Sequence, residues 1–188
     1  MTRFAEERAM PSTTGRTLGL PLLAASCLAL LQVSAAAEKA GNAETIGPWE
    51  IEATYKADKF DRCTIRQNLD DDIVVTFMRV GDGLTLLLSS PNWKLERGKQ
   101  YPVTMKLGVQ SWDREVAAEA SSVSMNVDDA KFERSLKSAS ALNVVAAGAT
   151  IRVPLDSSTA AFDRLDRCVE KNERAVETNP FVVPARRP

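Results

Sequence analysis

The feature that most constrains the fold is a succession of short segments in which apolar and polar residues alternate. In the clearest segment, apolar side chains occupy every second position from Trp49 to Tyr55, with charged or hydroxyl-bearing residues between them. A period of two places successive side chains on opposite faces of a β-strand. The sequence therefore predicts a sheet with one buried face and one solvated face, in which regular structure begins at Pro48.

Further segments of this kind follow, and residues that favour turns separate them. The Gly-Asp-Gly sequence at residues 81–83 lies between two apolar runs, and glycine supplies the positive φ angles that a tight hairpin requires. These two runs are expected to form a central antiparallel pair. The strands predicted after the first one cover residues 61–67, 73–80, 84–89, 101–107, 112–118, 123–127, 142–145 and 150–155.

Two helices are predicted in the C-terminal half, where apolar residues recur every three or four positions. The first covers residues 130–141 and begins after Asp128 and Asp129, whose carboxylates can accept hydrogen bonds from the free amides of the first turn. The second begins after the capping residues 156–158 and ends before Asn179. The long series of strands followed by these helices predicts an antiparallel α+β fold.

The N-terminal segment has the pattern of a secretory signal peptide. Arginines, of which Arg16 is the last, precede an apolar run at residues 18–33, and small residues follow it. The run is shorter than the roughly 20 apolar residues that a membrane-spanning helix needs. We therefore expect cleavage after Ala35, Ala36 or Ala37, and a periplasmic or secreted product.

Cys27 lies inside the apolar run, where the sequence Ala-Ala-Ser-Cys loosely resembles a lipoprotein cleavage box. Apolar residues continue beyond Cys27, whereas a lipoprotein usually turns polar at this point, so we expect Cys27 to be removed with the signal peptide. The predicted organisation is a signal peptide at 1–37, a flexible lead-in at 38–47, a single globular domain at 48–178 and a tail at 179–188.

Removal of the signal peptide leaves two cysteines, Cys63 and Cys168, in a compartment where thiols are driven to pair. Cys63 alternates with Ile65 on one strand face, and Cys168 falls on the helical stripe of Leu165 and Val169, so both should point inward. A reactive thiol or a thiolate metal site would need a C-x-x-C pair or a histidine, and the chain has neither. We predict a structural disulfide, within an antiparallel β-rich sheet or a partly closed barrel.

The chain contains no histidine. Histidine-dependent triads and imidazole metal sites are therefore excluded. The sequence also has no G-x-S-x-G elbow, no S-x-x-K pair and no phosphate-binding loop. We predict no catalytic, metal-binding or cofactor-binding residues, although an enzyme built on two carboxylates stays open because spacing in a β-rich chain does not tell which acidic residues face each other.

The charges of the chain are mixed along its length. The 24 basic and 25 acidic residues are interspersed, so no clustered basic surface for nucleic acid is expected. The densest cluster is Asp70, Asp71 and Asp72, whose oxygens could bind a hard cation. It lies between two predicted strands without further suitably spaced ligands, so a solvated turn is favoured.

Three tryptophans are the other candidate binding residues. Trp49, Trp93 and Trp112 could form an aromatic recognition surface for a sugar or a peptide. Each lies in or beside an alternating segment, where packing in the core is the more common role. The core is therefore the favoured location, with a recognition surface as the alternative.

Two segments, residues 47–51 and 154–162, together with Leu165 and Cys168, resemble uncharacterised exported proteins of Gram-negative proteobacteria. More distantly, the chain is similar to the invasion-associated locus B family of periplasmic proteins. The resemblance implies a bacterial envelope protein and supplies no catalytic residues.

Taken together, these features favour a soluble periplasmic or secreted binding or accessory protein without catalytic activity. The expected partner is a protein or an envelope ligand of unknown identity, with no nucleic acid, no cofactor and no membrane span after signal cleavage. The alternatives are an inhibitor of an exported hydrolase and, less favoured, a histidine-free hydrolase built on carboxylates.

Overall fold

The computed structural model describes residues 38–40 and 43–177. The predicted signal peptide with Cys27, and the predicted tail at 179–188, lie outside the described residues. Within the described part of the chain, no helix is long and apolar enough to cross a membrane. The elements in chain order are β1 Glu38–Ala40, β2 Glu44–Ile46, β3 Trp49–Lys56, β4 Lys59–Asn68, β5 Val74–Val80, β6 Gly83–Ser89, β7 Gln100–Leu107, β8 Gln110–Ala118, β9 Ser122–Val127, α1 Ala130–Ser138, β10 Ala141–Ala146, β11 Ala149–Pro154 and α2 Ser158–Glu177.

All eleven strands in the described part of the chain belong to one antiparallel sheet. Their order is β1-β3-β4-β5-β6-β9-β8-β7-β10-β11, and β2 pairs with β3 beside β1. The sheet is not closed, because β1 and β11 stand at opposite ends of this order and, among the described residues, β11 pairs only with β10. The predicted α+β fold is therefore confirmed, and of the two sheet forms considered the open one is observed.

The structure differs from the predicted elements at two places. Regular structure begins before Pro48, since the expected lead-in contains β1 and β2, whose main chains pair with Thr54–Lys56 and Trp49–Ile51 of β3. Main-chain pairing needs no apolar alternation, so the sequence pattern did not indicate these strands. The first helix ends at Ser138 rather than 141, because Ala139 is already extended and Ala141 pairs with β11.

The core lies between the inner face of the sheet and the two helices. Phe77 of β5 is at its centre, with its ring centroid 6.0 Å from that of Trp49 and 5.0 Å from that of Phe162. Leu165 of α2 and Leu136 of α1 are also fully buried. The apolar faces that the helical and strand periodicities predict thus pack together in one layer.

A disulfide joins Cys63 of β4 to Cys168 of α2, with 6.2 Å between their Cα atoms. The predicted pairing is confirmed. Cys63 is fully buried, whereas Cys168 is only partly buried at the flank of the helix stripe. The side chain of Asn172, one turn further on, donates to the carbonyl oxygen of Cys168 at 2.8 Å and accepts from the Tyr55 hydroxyl at 2.7 Å.

The β2–β3 turn packs against the loop that joins β11 to α2. The indole Nε1 of Trp49 donates to the carbonyl oxygen of Asp156 at 2.9 Å. Gly47 has a φ of +57°, and a Cβ atom at this position would lie 2.7 Å from the Ser157 hydroxyl oxygen. Only glycine fits this contact without displacement. The open sheet is therefore curled, with its first hairpin in contact with the residues that follow its last strand.

Candidate functional site

A cleft of about 580 Å³ lies between the turn that joins β4 to β5 and the edge strand β11. It opens where the sheet is not closed. We call it the β11 cleft and define it by its lining residues: Gln67, Asn68, Leu69, Asp70, Asp71, Ile73, Thr150, Ile151, Arg152 and Pro154. Other depressions, of about 380, 280 and 270 Å³, are smaller.

Gln67 lines the β11 cleft and is 8% exposed. It follows Cys63 and Ile65 on the inward face of β4, both of which are fully buried. Among the described residues, its Oε1 has no hydrogen-bond partner. A buried amide oxygen without a donor is rare and costs stability. Gln67 therefore brings a buried acceptor without a partner to the lining of the cleft.

The turn at residues 70–72 forms one wall of the cleft. It is closed by hydrogen bonds from the Leu69 amide to the Ile73 carbonyl at 2.7 Å and from the Ile73 amide to the Asp70 carbonyl at 3.3 Å. Asp70, Asp71 and Asp72 are all exposed, as expected of a solvated turn. No group of three metal-ligating side chains occurs among the described residues. The turn therefore gives this wall negative charge.

Strand β11 forms the opposite wall. Thr150 and Arg152 are exposed, whereas Ile151 and Pro154 are partly buried. This wall has no carboxylate, so the acidic residues of the cleft all come from the single turn. The arrangement can accept and donate hydrogen bonds and can attract a cation, but it does not place two carboxylates on opposite sides of a substrate.

The three tryptophans do not form a common surface. Trp49 is fully buried, so the core prediction holds for it and it cannot belong to an aromatic recognition surface. Trp93 and Trp112 are partly buried and pack against the core. The Trp112 ring lies at 5.0 Å from the Phe132 ring, edge to face, and its Nε1 donates to Asp129 at 2.9 Å. Trp112 therefore contributes to helix anchoring.

Asp129 is the N-cap of α1. Hydrogen bonds from the Phe132 and Lys131 amides, together with the one from the Trp112 indole, hold the pKa of the Asp129 carboxyl below its usual value. The Arg114 guanidinium, 3.8 Å away, acts in the same direction. These contacts stabilise the carboxylate, so its role is structural.

A second charged cluster joins β5 to both helices. Arg79, whose side chain is 9% exposed, pairs with Glu133 of α1 and, at 2.8 Å, with Asp166 of α2. Lys137 pairs with Asp166 at 3.1 Å and with Asp163 at 3.2 Å. Burial opposes the charged form of Lys137, but the hydrogen bonds to Asp166 and Asp163 outweigh it and raise its pKa. All these charges are paired, so the cluster is a structural link.

The exposed side of α2 carries a stripe of basic residues: Arg164, Arg167, Lys171 and Arg174. Arg164 pairs with Glu44 of β2 at 2.5 Å, and Arg174 pairs with Glu170 at 3.2 Å. Half of the stripe is thus neutralised by neighbouring carboxylates. It offers a weaker binding surface than the β11 cleft.

The sequence did not indicate the β11 cleft as a site. One feature of the sequence could have indicated it: Gln67 is polar, although it follows Cys63 and Ile65 on the strand face that points into the core. The position of β11 at a sheet edge had no local signal, because strand order depends on long-range pairing.

Comparison of the chain with protein-family models, curated proteins and solved structures gave no match in any of the three. The resemblance to exported proteobacterial proteins and to the locus B family therefore stays a prediction. Function is accordingly argued from the geometry of the cleft.

Proposed function

We propose that the protein is an exported periplasmic or secreted binding or accessory protein without catalytic activity, and that the β11 cleft is its binding site. The observation that carries this proposal is the buried Gln67 oxygen without a donor in a cleft of about 580 Å³. A few polar groups converging in a well-formed cleft are the usual mark of a binding site.

Export is supported by the predicted signal peptide and by the disulfide between Cys63 and Cys168, since disulfides persist in oxidising compartments. N-terminal sequencing of the exported protein should begin at Ala36, Ala37 or Glu38. A product that retains the first 37 residues, or one that begins at Cys27, would contradict this part of the proposal.

A hydrolase that uses two carboxylates is less favoured. Such a mechanism requires acidic groups on both sides of the bond that is cleaved. Asp70 and Asp71 lie in one turn, and the strand opposite them contributes no acidic residue to the cleft. The geometry therefore supports binding rather than turnover at this site.

One observation favours the inhibitor alternative. Val109, in the turn between β7 and β8, is fully exposed at 102%. An apolar side chain at the tip of a hairpin can enter the cleft of a target enzyme. An inhibitor would therefore contact its hydrolase through this turn and not through the β11 cleft.

Site-specific cross-linking separates these functions. A photoreactive amino acid would replace either Thr150, in the cleft, or Val109, in the full chain exported by a Gram-negative host and exposed to periplasmic extract. We expect adducts from position 150 and none from position 109. Adducts with a hydrolase from position 109 alone would support the inhibitor, and absence of adducts at both positions would overturn the proposal. Turnover of any substrate in a hydrolase panel would overturn the absence of catalysis.

A further inference from the structure

Along β11, residues whose main chain bonds to β10 alternate with residues whose main chain does not, and the hairpin turn fixes which residues are which. The turn at residues 147–148 has positive φ at both positions, which is the type I′ geometry that closes on a hydrogen-bonded pair, here Ala146 and Ala149. Hydrogen-bonded pairs then alternate along an antiparallel ladder. The bond from the Leu155 amide to the Ser140 carbonyl, at 3.0 Å, fits this alternation, because Leu155 is separated from Ala149 by an even number of positions. The odd-numbered residues of β11 therefore bond to β10.

The even-numbered residues of β11 direct their main-chain groups away from the sheet. Within the described residues, the amides and carbonyls of Thr150 and Arg152 have no main-chain partner on that side. At the other end of the sheet, the edge is formed by the three-residue strands β1 and β2, which pair with β3. Two amides and two carbonyls thus line the open side of β11, in the arrangement that a further strand requires.

The side chains opposite this edge determine which residues would be favoured in an added strand. Gln67 presents a buried oxygen without a donor, and Asp70 and Asp71 add negative charge beside it. Arg152 on β11 offsets one of these two carboxylates, so the lining keeps an excess of negative charge. It therefore favours an occupant that supplies a hydrogen-bond donor and positive charge. Lysine and arginine side chains provide both. The partly buried Leu69 and Ile151 offer apolar contact between these polar groups.

From these observations we infer that the outer edge of β11 binds an extended, basic segment of a partner protein by β-strand addition. This inference rests on the proposed function of the β11 cleft. Main-chain bonds to Thr150 and Arg152 supply the binding, and the acidic turn selects lysine or arginine at alternate positions. Pro154 has no amide to donate, so the added ladder ends there and pairs with only a short segment.

The probe is a capped hexapeptide, Val-Lys-Val-Lys-Val-Lys, titrated into the folded, disulfide-bonded protein and followed by calorimetry and by amide chemical shifts. The glutamate counterpart, Val-Glu-Val-Glu-Val-Glu, tests the charge of the wall. We expect the lysine peptide to bind at least tenfold more tightly and to shift the amide signals of Thr150 and Arg152. Equal binding of the two peptides, or no binding of either at millimolar concentration, would overturn the inference.

Two substitutions of one residue test the main-chain contribution. Thr150→Pro removes the outward amide but no bond to β10, and edge strands tolerate proline at such positions. Thr150→Ala keeps the amide and is the matched control. We expect an unchanged Tm for both variants, and peptide binding at least tenfold weaker for Thr150→Pro than for Thr150→Ala. Equal binding by the two folded variants would overturn strand addition.

Together with the cross-linking, these peptide experiments distinguish failure of strand addition from failure of the proposed binding function. If strand addition fails while cross-links still form from position 150, the cleft binds by side-chain contacts and only the inference is lost. A second copy of the chain is the competing occupant. Concentration-dependent dimers in sedimentation experiments that Thr150→Pro abolishes would show that β11 pairs with itself, and would overturn the assignment of a partner segment.

Discussion

At Gln67, the stability of the fold and the proposed binding site make opposite demands. It occupies the inward face of β4, where the two preceding inward residues, Cys63 and Ile65, are fully buried. An amide oxygen buried without a donor costs about 1–3 kcal/mol relative to a satisfied one. Such a cost is common where a site is prepared for a ligand, because activity and maximal stability compete.

Replacing Gln67 with methionine tests this interpretation. Methionine has a similar volume and needs no hydrogen-bond partner, so we expect Gln67→Met to raise the free energy of unfolding by about 1 kcal/mol. Cross-linking from position 150 should fall at the same time. Denaturant unfolding followed by circular dichroism measures the first effect.

Gln110 provides a matched control for Gln67→Met. Its Oε1 is also buried without a hydrogen-bond partner among the described residues, but it lies at the start of β8, outside the β11 cleft. We expect Gln110→Met to leave cross-linking from position 150 unchanged. A loss of stability in Gln67→Met would show that the Gln67 amide is a structural group, and would contradict the binding role.

Residue environments were predictable where local periodicity decides them. Burial of Trp49 and Cys63 follows from alternation along single strands. The missing donor at Gln67 was not predictable, because it depends on which side chains other elements bring near it. The sequence could show that Gln67 breaks an apolar series, but only the fold shows that the break lines a cleft.

At the scale of single elements, α1 depends on the cap at Asp129. The helix has nine residues, which is too short to be stable by itself in water. Its first turn is held by hydrogen bonds from the Phe132 and Lys131 amides to the Asp129 carboxylate. The ring of Phe132 also packs on Trp112. Cap and ring together fix the helix on strand β8.

The lowered pKa of Asp129 gives this cap a pH dependence. A group whose pKa is lower in the folded state stabilises the fold above its unfolded pKa of about 3.9 and loses that effect as the pH falls through the folded value. We expect Asp129→Ala to lower the Tm by a few degrees at pH 7, and the difference from wild type to shrink below about pH 4. Thermal unfolding at several pH values measures this.

Asp128→Ala is the control for the cap. Asp128 is exposed and adjacent in sequence, and the hydrogen bonds of the first turn go to Asp129. We expect nearly unchanged Tm values for this variant at both pH values. A Tm difference for Asp129→Ala that stays constant down to pH 2 would show that the lost contact is not the charged cap.

The helices are also joined to the sheet by Arg79. Its guanidinium is almost fully buried and contacts Glu133 of α1 and Asp166 of α2, so one side chain links three elements. Removing one partner of a buried charged cluster leaves the others unpaired, which costs more than the loss of an exposed pair. The position of both helices should therefore depend on this residue.

Replacing Arg79 with methionine should lower the free energy of unfolding by about 2–3 kcal/mol. The control is Arg97→Met, because Arg97 forms an exposed pair with Glu119 at 3.6 Å, both side chains being at least 70% exposed. Its effect should be below about 1 kcal/mol. Denaturant unfolding of both variants measures the difference, and equal losses would contradict the linking role of Arg79.

Strands and helices could be predicted from the sequence where regularly spaced apolar residues and turn or cap residues mark them. The hairpins at 81–83 and 147–149, the capped helix α1 and the helix α2 follow from glycine, carboxylate and apolar positions. Strands β1 and β2 were missed because three-residue strands that pair through the main chain need no pattern. The end of α1 was placed too late, because pairing of β10 with β7 and β11 overrides the alanine-rich sequence.

At the scale of the whole molecule, strand order lay beyond the sequence. The sheet places β9 next to β6 and β7 next to β10, and these neighbours are set by long-range packing. The disulfide was the exception, because removal of the predicted signal peptide would leave two cysteines and therefore a single pairing. It was the only long-range contact that the sequence specified, and it joins elements on either side of the core.

The same disulfide should provide a large part of the stability. The cysteines are 105 residues apart, and closing a loop of this length reduces the entropy of the unfolded chain by the equivalent of about 4–5 kcal/mol. We expect the double variant Cys63→Ala, Cys168→Ala to lose about 4 kcal/mol in denaturant unfolding. Tyr55→Phe is the control, since it removes the 2.7 Å bond to Asn172 but keeps the cross-link, and should lose about 1 kcal/mol. Equal losses would show that local packing around Cys168, and not loop closure, is the source of the stabilisation.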